Sequence, residues 1–109
     1  MTFTTEGLKK AEKIGMLQRW IIVQSILYYV LDFNLVSDEA FDRNCSQLVE
    51  FMNKYPNGLK HSQYCYCMND FDGSTGFDLY NRLNKKDRRY LRNIAERLKL
   101  KNKNRKGAK

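Results

Sequence analysis

Apolar residues recur at helical spacing along most of the chain. A first helix is predicted to begin near Thr5 or Glu6, with Ile14 and Gly15 bending or dividing it, because glycine costs about 1 kcal/mol inside a helix. From there Met16, Trp20, Val23, Leu27 and Val30 step by 4, 3, 4 and 3, which defines a core-facing stripe that Ile21, Ile22, Ile26 and Leu31 widen. Trp20 is expected in the core. Asp32–Val36 reads as a connection. Ser37 is a candidate N-cap for a second helix, with Asp38 and Glu39 in its first turn, where acids suit the positive end of the helix dipole. Along that helix Phe41, Cys45, Leu48 and Met52 share the core face, and Pro56, Asn57 and Gly58 should stop it.

The alternation Tyr64-Cys65-Tyr66-Cys67 predicts one short strand or extended segment. Asp70–Gly76 reads as a turn-rich loop, with Gly73 and Gly76 supplying positive φ, and Phe77–Leu83 as a short helix. Asn84, with Asp87 three residues on, suits the start of a last helix whose apolar stripe is Leu91, Ile94 and Leu98. The expected fold is therefore mainly α: about four helices with at most a minimal β element. Residues 1–100 form one domain, and 101–109 a disordered basic tail.

Charge sharpens this picture. The 109 residues carry a net +8, divided between −2 on residues 1–84 and +10 on residues 85–109. A mildly acidic body thus ends in a basic segment, which attracts phosphate backbones or acidic protein surfaces. Lys85, Lys86, Arg88, Arg89 and Arg92 are the candidate contacts to a nucleic acid or protein partner. No helix-turn-helix, zinc-finger or RNA-recognition signature accompanies them. Three cysteines are an odd count and no disulfide framework, which favours a reducing, cytoplasmic setting. No signal-peptide pattern opens the sequence, and Gln18, Arg19, Gln24 and Ser25 interrupt the most apolar stretch, so no membrane span is expected.

Chemistry concentrates at the corner Tyr28–Arg43. Tyr28, Tyr29 and Phe41 supply ring faces that stack on flat heterocycles; Asp32, Asp38 and Asp42 supply carboxylates that accept hydrogen bonds from hydroxyls and amides. The structural alternative is a helix–turn–helix corner with a polar rim. The spacing Tyr28-Tyr29-x-x-Asp32-x-Asn34-x-x-x-Asp38-x-x-Phe41-Asp42, followed by a helix ending at Pro56, resembles the small N-terminal Ia domain of NAD-dependent bacterial DNA ligases. The likeness covers the core at about 16–56. In that family the domain grips the nicotinamide mononucleotide half of NAD. The resemblance implies that Tyr28, Tyr29 and Phe41 bracket the ring and that Asp38 and Asp42 contact the ring and ribose side. Tyr29 stands where the family has histidine, Phe41 where it has tyrosine, and Asn34 where it has proline. The Lys-x-Asp-Gly nucleophile motif is missing, so no ligase activity is implied. The chain reads as a non-catalytic, stand-alone relative of phage type that binds NAD, nicotinamide mononucleotide or a related nucleotide. The alternative is a phage interaction protein, such as an anti-CRISPR, inhibiting a host nucleic-acid enzyme or defence complex through its basic C-terminal helix.

Two further motifs carry less. Asp70-Phe71-Asp72-Gly73-Ser74 resembles the nucleophile loop of haloacid-dehalogenase-type phosphatases, but the 35 residues after Ser74 cannot supply the parallel sheet that chemistry needs; Asn81 also spoils a calcium loop. His61, Cys65 and Cys67 match no standard zinc spacing, and no metal is expected.

Overall fold

The structure is a computed structural model that describes residues 5–68, 70–72 and 79–107. Among these it is mainly helical and contains no strand. Helix α1 (Thr5–Ser25) runs on into a π-helical turn, Ile26–Val30; α2 spans Asp38–Lys54, α3 Pro56–Lys60, α4 Cys65–Met68, α5 Leu79–Arg82 and α6 Lys85–Gly107.

α1 is the central element, packed by α2 and α3 on one side and by α5 and α6 on another. It is continuous, so neither Ile14 nor Gly15 divides it. Its buried face is also rotated from the expected stripe. Ile14, Gln18, Ile21, Ile22, Ser25 and Ile26 are fully enclosed, whereas Met16 (62% exposed), Trp20 (38%) and Val30 (36%) reach solvent. Two polar residues hold core positions because their hydrogen bonds are met inside. The Gln18 Nε2 amide donates to Ser62 Oγ at 3.0 Å while Gln18 Oε1 accepts from the Tyr64 backbone N–H at 3.2 Å. Ser25 Oγ donates back to the Ile21 carbonyl at 2.9 Å. A satisfied polar group can be buried at little net cost.

α2 follows the sequence closely. Ser37 caps it, its Oγ accepting the Ala40 N–H at 3.1 Å. Cys45, Leu48 and Met52 are buried and Phe41 packs partly against them. Pro56 ends α2 at Lys54 but opens a further turn, α3, because proline suits the first helical position. Gly58 lets that turn press on α1: a Cβ there would lie 3.1 Å from Ile14 Cδ1 and 3.2 Å from Lys10 Cβ. The Lys10 ammonium lies 4.5 Å from the Tyr55 ring centroid and 5.7 Å from that of Phe51, tying α1 to the end of α2.

The expected strand at Tyr64–Cys67 is instead a helical turn. Tyr64, Cys67 and Met68 are buried while Tyr66 is exposed, which is the i, i+3, i+4 pattern of a helix. Of the Asp70–Gly76 loop and the helix expected over Phe77–Leu83, residues 73–78 lie outside the described residues. Asn84 starts α6 as expected, its Oδ1 accepting the Asp87 N–H at 2.8 Å. Leu91 and Ala95 are buried on α6, with Ile94 and Leu98 beside them. α6 continues to Gly107, past Leu100, where disorder was expected; lysine and arginine are good helix formers and nothing before Gly107 breaks the run.

Candidate functional site

The corner between α1 and α2 is built by an irregular helix end. Within Ile26–Val30 the bonding widens, and the Leu31 N–H donates to the Ile26 carbonyl at 3.0 Å, five residues back. The Phe33 N–H then reaches the Leu27 carbonyl at 2.8 Å. Between them Asp32 takes φ 52°, the left-handed conformation that terminates helices and that aspartate tolerates better than most residues. Asp32 therefore acts in the turn itself. Lys99 of α6 donates from Nζ to the Leu31 carbonyl at 2.8 Å, covering one of the orphan acceptors at this helix end and adding a cation where the dipole favours one.

This corner encloses a cavity of about 250 Å³. Tyr28, Tyr29, Asp38, Phe41 and Asp42, the residues singled out from sequence, all line it, together with Gln24, Phe33, Asn34, Leu35 and Val36. Tyr28 and Tyr29 are 44% and 40% exposed and meet edge to face, their centroids 4.8 Å apart. The rings are thus a half-open wall and not core filler. Phe41 is partly buried beneath them. Asp38 and Asp42 stand exposed one turn apart on α2, and among the described residues neither lysine, arginine nor histidine lines the cavity. Its local charge is accordingly negative. Asp42 also bears on Cys45, one turn along: burial chiefly, and that carboxylate secondarily, push the Cys45 thiol up to about 11, so it stays protonated and inert.

Gln24 is the wall residue the sequence reading did not select. It is 3% exposed; Asn44 Nδ2 donates to its Oε1 at 3.5 Å, and its Nε2 has no partner. Buried amides are nearly always paired, and this donor, shielded from solvent behind the cavity, is unmet among the described residues. Its signal in the sequence was a polar residue inside the apolar run 21–27, four residues before Tyr28 and so on the same helix face.

The basic candidates divide. Arg88 and Arg92 serve the fold. Arg88 Nη2 donates to the Asn81 and Leu83 carbonyls at 3.2 and 3.1 Å, covering acceptors left open at the end of α5, and its guanidinium lies 5.3 Å from the Tyr80 centroid. Arg92 Nη1 donates to Tyr80 Oη at 3.2 Å, which with the nearby Tyr80 charge raises the Arg92 pKa further, and its Nε lies 3.7 Å from Glu96. Lys85, Lys86 and Arg89 remain exposed.

The other motifs form no site. Among the described residues no three metal-ligating side chains gather. The Cys67 thiol, raised to about 11 mainly by burial, donates to the Tyr64 carbonyl at 3.4 Å. Asp70 pairs with Arg82 at 2.7 Å, which ties the loop to α5. No helix among the described residues is long and apolar enough to cross a membrane. Compared with known proteins, the chain matches no family model, no curated protein and no solved structure.

Proposed function

We propose that the chain is a non-catalytic binding protein whose α1–α2 corner holds the nicotinamide mononucleotide half of NAD, or a related nucleotide. The observation that carries this reading is the one cavity lined by the three rings, the two carboxylates and Gln24, whose buried Nε2 is unmet. The chemistry is complementary. Ring faces and carboxylates together favour a flat cationic heterocycle such as pyridinium. The Gln24 Nε2, once its side chain turns into the cavity, would donate to a carboxamide oxygen, and Asp38 and Asp42 would accept from ribose hydroxyls. The volume sets the limit: drug-sized ligands occupy about 300–1,000 Å³, so about 250 Å³ suits a ring with part of its ribose and not a whole dinucleotide. With carboxylates and no cation in the wall, the phosphate belongs outside.

Calorimetric titration with nicotinamide mononucleotide, nicotinamide riboside and NAD tests this. All three should bind with similar affinity, and Asp42→Ala should weaken each about tenfold or more, the effect of losing a hydrogen bond to a charged group. No heat at millimolar ligand, or binding unchanged in Asp42→Ala, overturns the reading.

A further inference from the structure

We propose that the outward arc of α6 is a binding surface for single-stranded nucleic acid, independent of the corner cavity. At 3.6 residues per turn, Lys86, Arg89, Tyr90, Arg97 and Lys101 fall within an arc of about 120°, opposite the buried Leu91 and Ala95, and span about 22 Å of helix. All five are exposed, Tyr90 by 50%. They are the part of the basic segment the fold does not use, because Arg88, Arg92 and Lys99 are bonded to Tyr80 and to backbone carbonyls.

The arc is electrostatically unfavourable by itself. Lys86 and Arg89 sit near the positive end of the helix dipole, and Lys86–Arg89 and Arg97–Lys101 are like-charged neighbours at i,i+3 and i,i+4. The acids of Lys85–Lys101 give no relief: Asp87 accepts from Tyr66 Oη at 2.6 Å, and Glu96 faces Arg92. A polyanion laid along the arc removes that repulsion. Tyr90 selects among polyanions. An exposed ring between cations stacks an unpaired base, which neither a duplex nor an acidic peptide offers.

Fluorescence anisotropy with a labelled twenty-nucleotide thymidine strand tests the surface across 50–300 mM salt. The full chain should bind with a slope of log K on log salt that Lys86→Gln, Arg89→Gln, Arg97→Gln and Lys101→Gln together reduce by about 3, at roughly 0.7 per phosphate contact on a single strand. Tyr90→Ala should weaken binding about tenfold and leave the slope unchanged. Lys9→Gln with Lys60→Gln, on α1 and α3 and outside the arc, should change neither quantity. Circular dichroism of the fourfold variant should show undiminished helicity, since like charges have been removed. The proposal fails if the fourfold variant binds like the parent, or if the strand is not bound at 50 mM salt. It fails equally if the matching duplex binds more tightly with Tyr90→Ala silent, or if polyglutamate competes as well as the strand.

Discussion

Gln24→Leu separates stability from binding at the corner. Gln24 is 3% exposed and its Nε2 donor has no partner, so the folded state carries an unmet amide. Such a group costs about 1–3 kcal/mol. What the substitution removes is the contact from Asn44 at 3.5 Å, at the outer limit of hydrogen bonding, and Asn44 is partly exposed and can turn to water. Leucine has similar bulk and favours the buried site. The net expectation is a gain of about 0.5–2 kcal/mol, which for a chain of this size raises Tm by about 4–8 °C per kcal/mol. Binding moves the other way. If Nε2 meets a carbonyl of the ligand, its loss leaves that acceptor unmet and lowers affinity for nicotinamide mononucleotide about 5- to 150-fold, or 1–3 kcal/mol. Opposite signs for stability and affinity are what a residue kept for binding shows. Urea denaturation and calorimetry on the same preparation measure both. A variant that is less stable than the parent and binds as well would refute the reasoning, since Gln24 would then be serving only the fold.

Gly58→Ala sets a gain of about 0.5–1 kcal/mol in helix preference against a Cβ that meets Ile14 Cδ1 at 3.1 Å and Lys10 Cβ at 3.2 Å; with Ile14 fully enclosed, a net loss of about 1 kcal/mol is expected in urea denaturation. Lys99→Met keeps the aliphatic stem but deletes the hydrogen bond to the Leu31 carbonyl; a loss of about 1–2 kcal/mol is expected, with faster hydrogen exchange at the Phe33 amide as the local readout. Alkaline pH should weaken the fold through two thiols. Cys45 and Cys67 are raised from 9.0 to about 11, so the folded state keeps protons that the unfolded chain releases above pH 9. Their contribution is complete below pH 9 and is lost as pH rises towards 11, at about 1.4 kcal/mol per pH unit for each thiol. Cys45→Ala should flatten the decline in that window.

The parts of the fold legible in the sequence are those where one local signal acts alone. Ser37 and Asn84 stand at helix starts with nothing competing for their side-chain oxygens, and Cys45, Leu48 and Met52 are the apolar face of an otherwise polar α2. α1 misled because it is apolar nearly all round. Counting apolar residues selected Met16 and Trp20, whereas the core took Gln18 and Ser25, whose partners Ser62, Tyr64 and Ile21 are invisible to periodicity. The π-turn then shifted the helical phase, so that Val30 left the stripe begun further up. Tyr64–Met68 fits alternation and helical spacing equally, and only packing on α5 and α1 decides between them. At the candidate site, residue types that declare their chemistry, rings and carboxylates, were found; Gln24 was not, because an isolated amide gains meaning only from what fails to meet it.

The concentration of unfavourable local choices in the corner argues that this stretch is shaped by something besides folding. Within nine residues the chain accepts a π-turn, a non-glycine left-handed residue at Asp32, two tyrosines held half in water and an unmet amide at Gln24. Left-handed strain of this kind costs about 1 kcal/mol or more, and the buried donor at least as much. Each departure also contributes to the cavity. The i→i+5 turn widens the helix where Tyr28 and Tyr29 stand, and their rings meet at 4.8 Å on one wall. Asp32 reverses the chain so that Asn34–Val36 closes the far side, and Gln24 lines the wall with its Nε2 buried behind it. A corner selected only to join two helices would use glycine at position 32, a regular α-helical end and an apolar residue at 24, and it would be more stable for it. Unmet groups occur elsewhere too, at Tyr64 Oη and Arg88 Nε, but only at the corner do several such departures gather around one cavity, the pattern expected of a functional site.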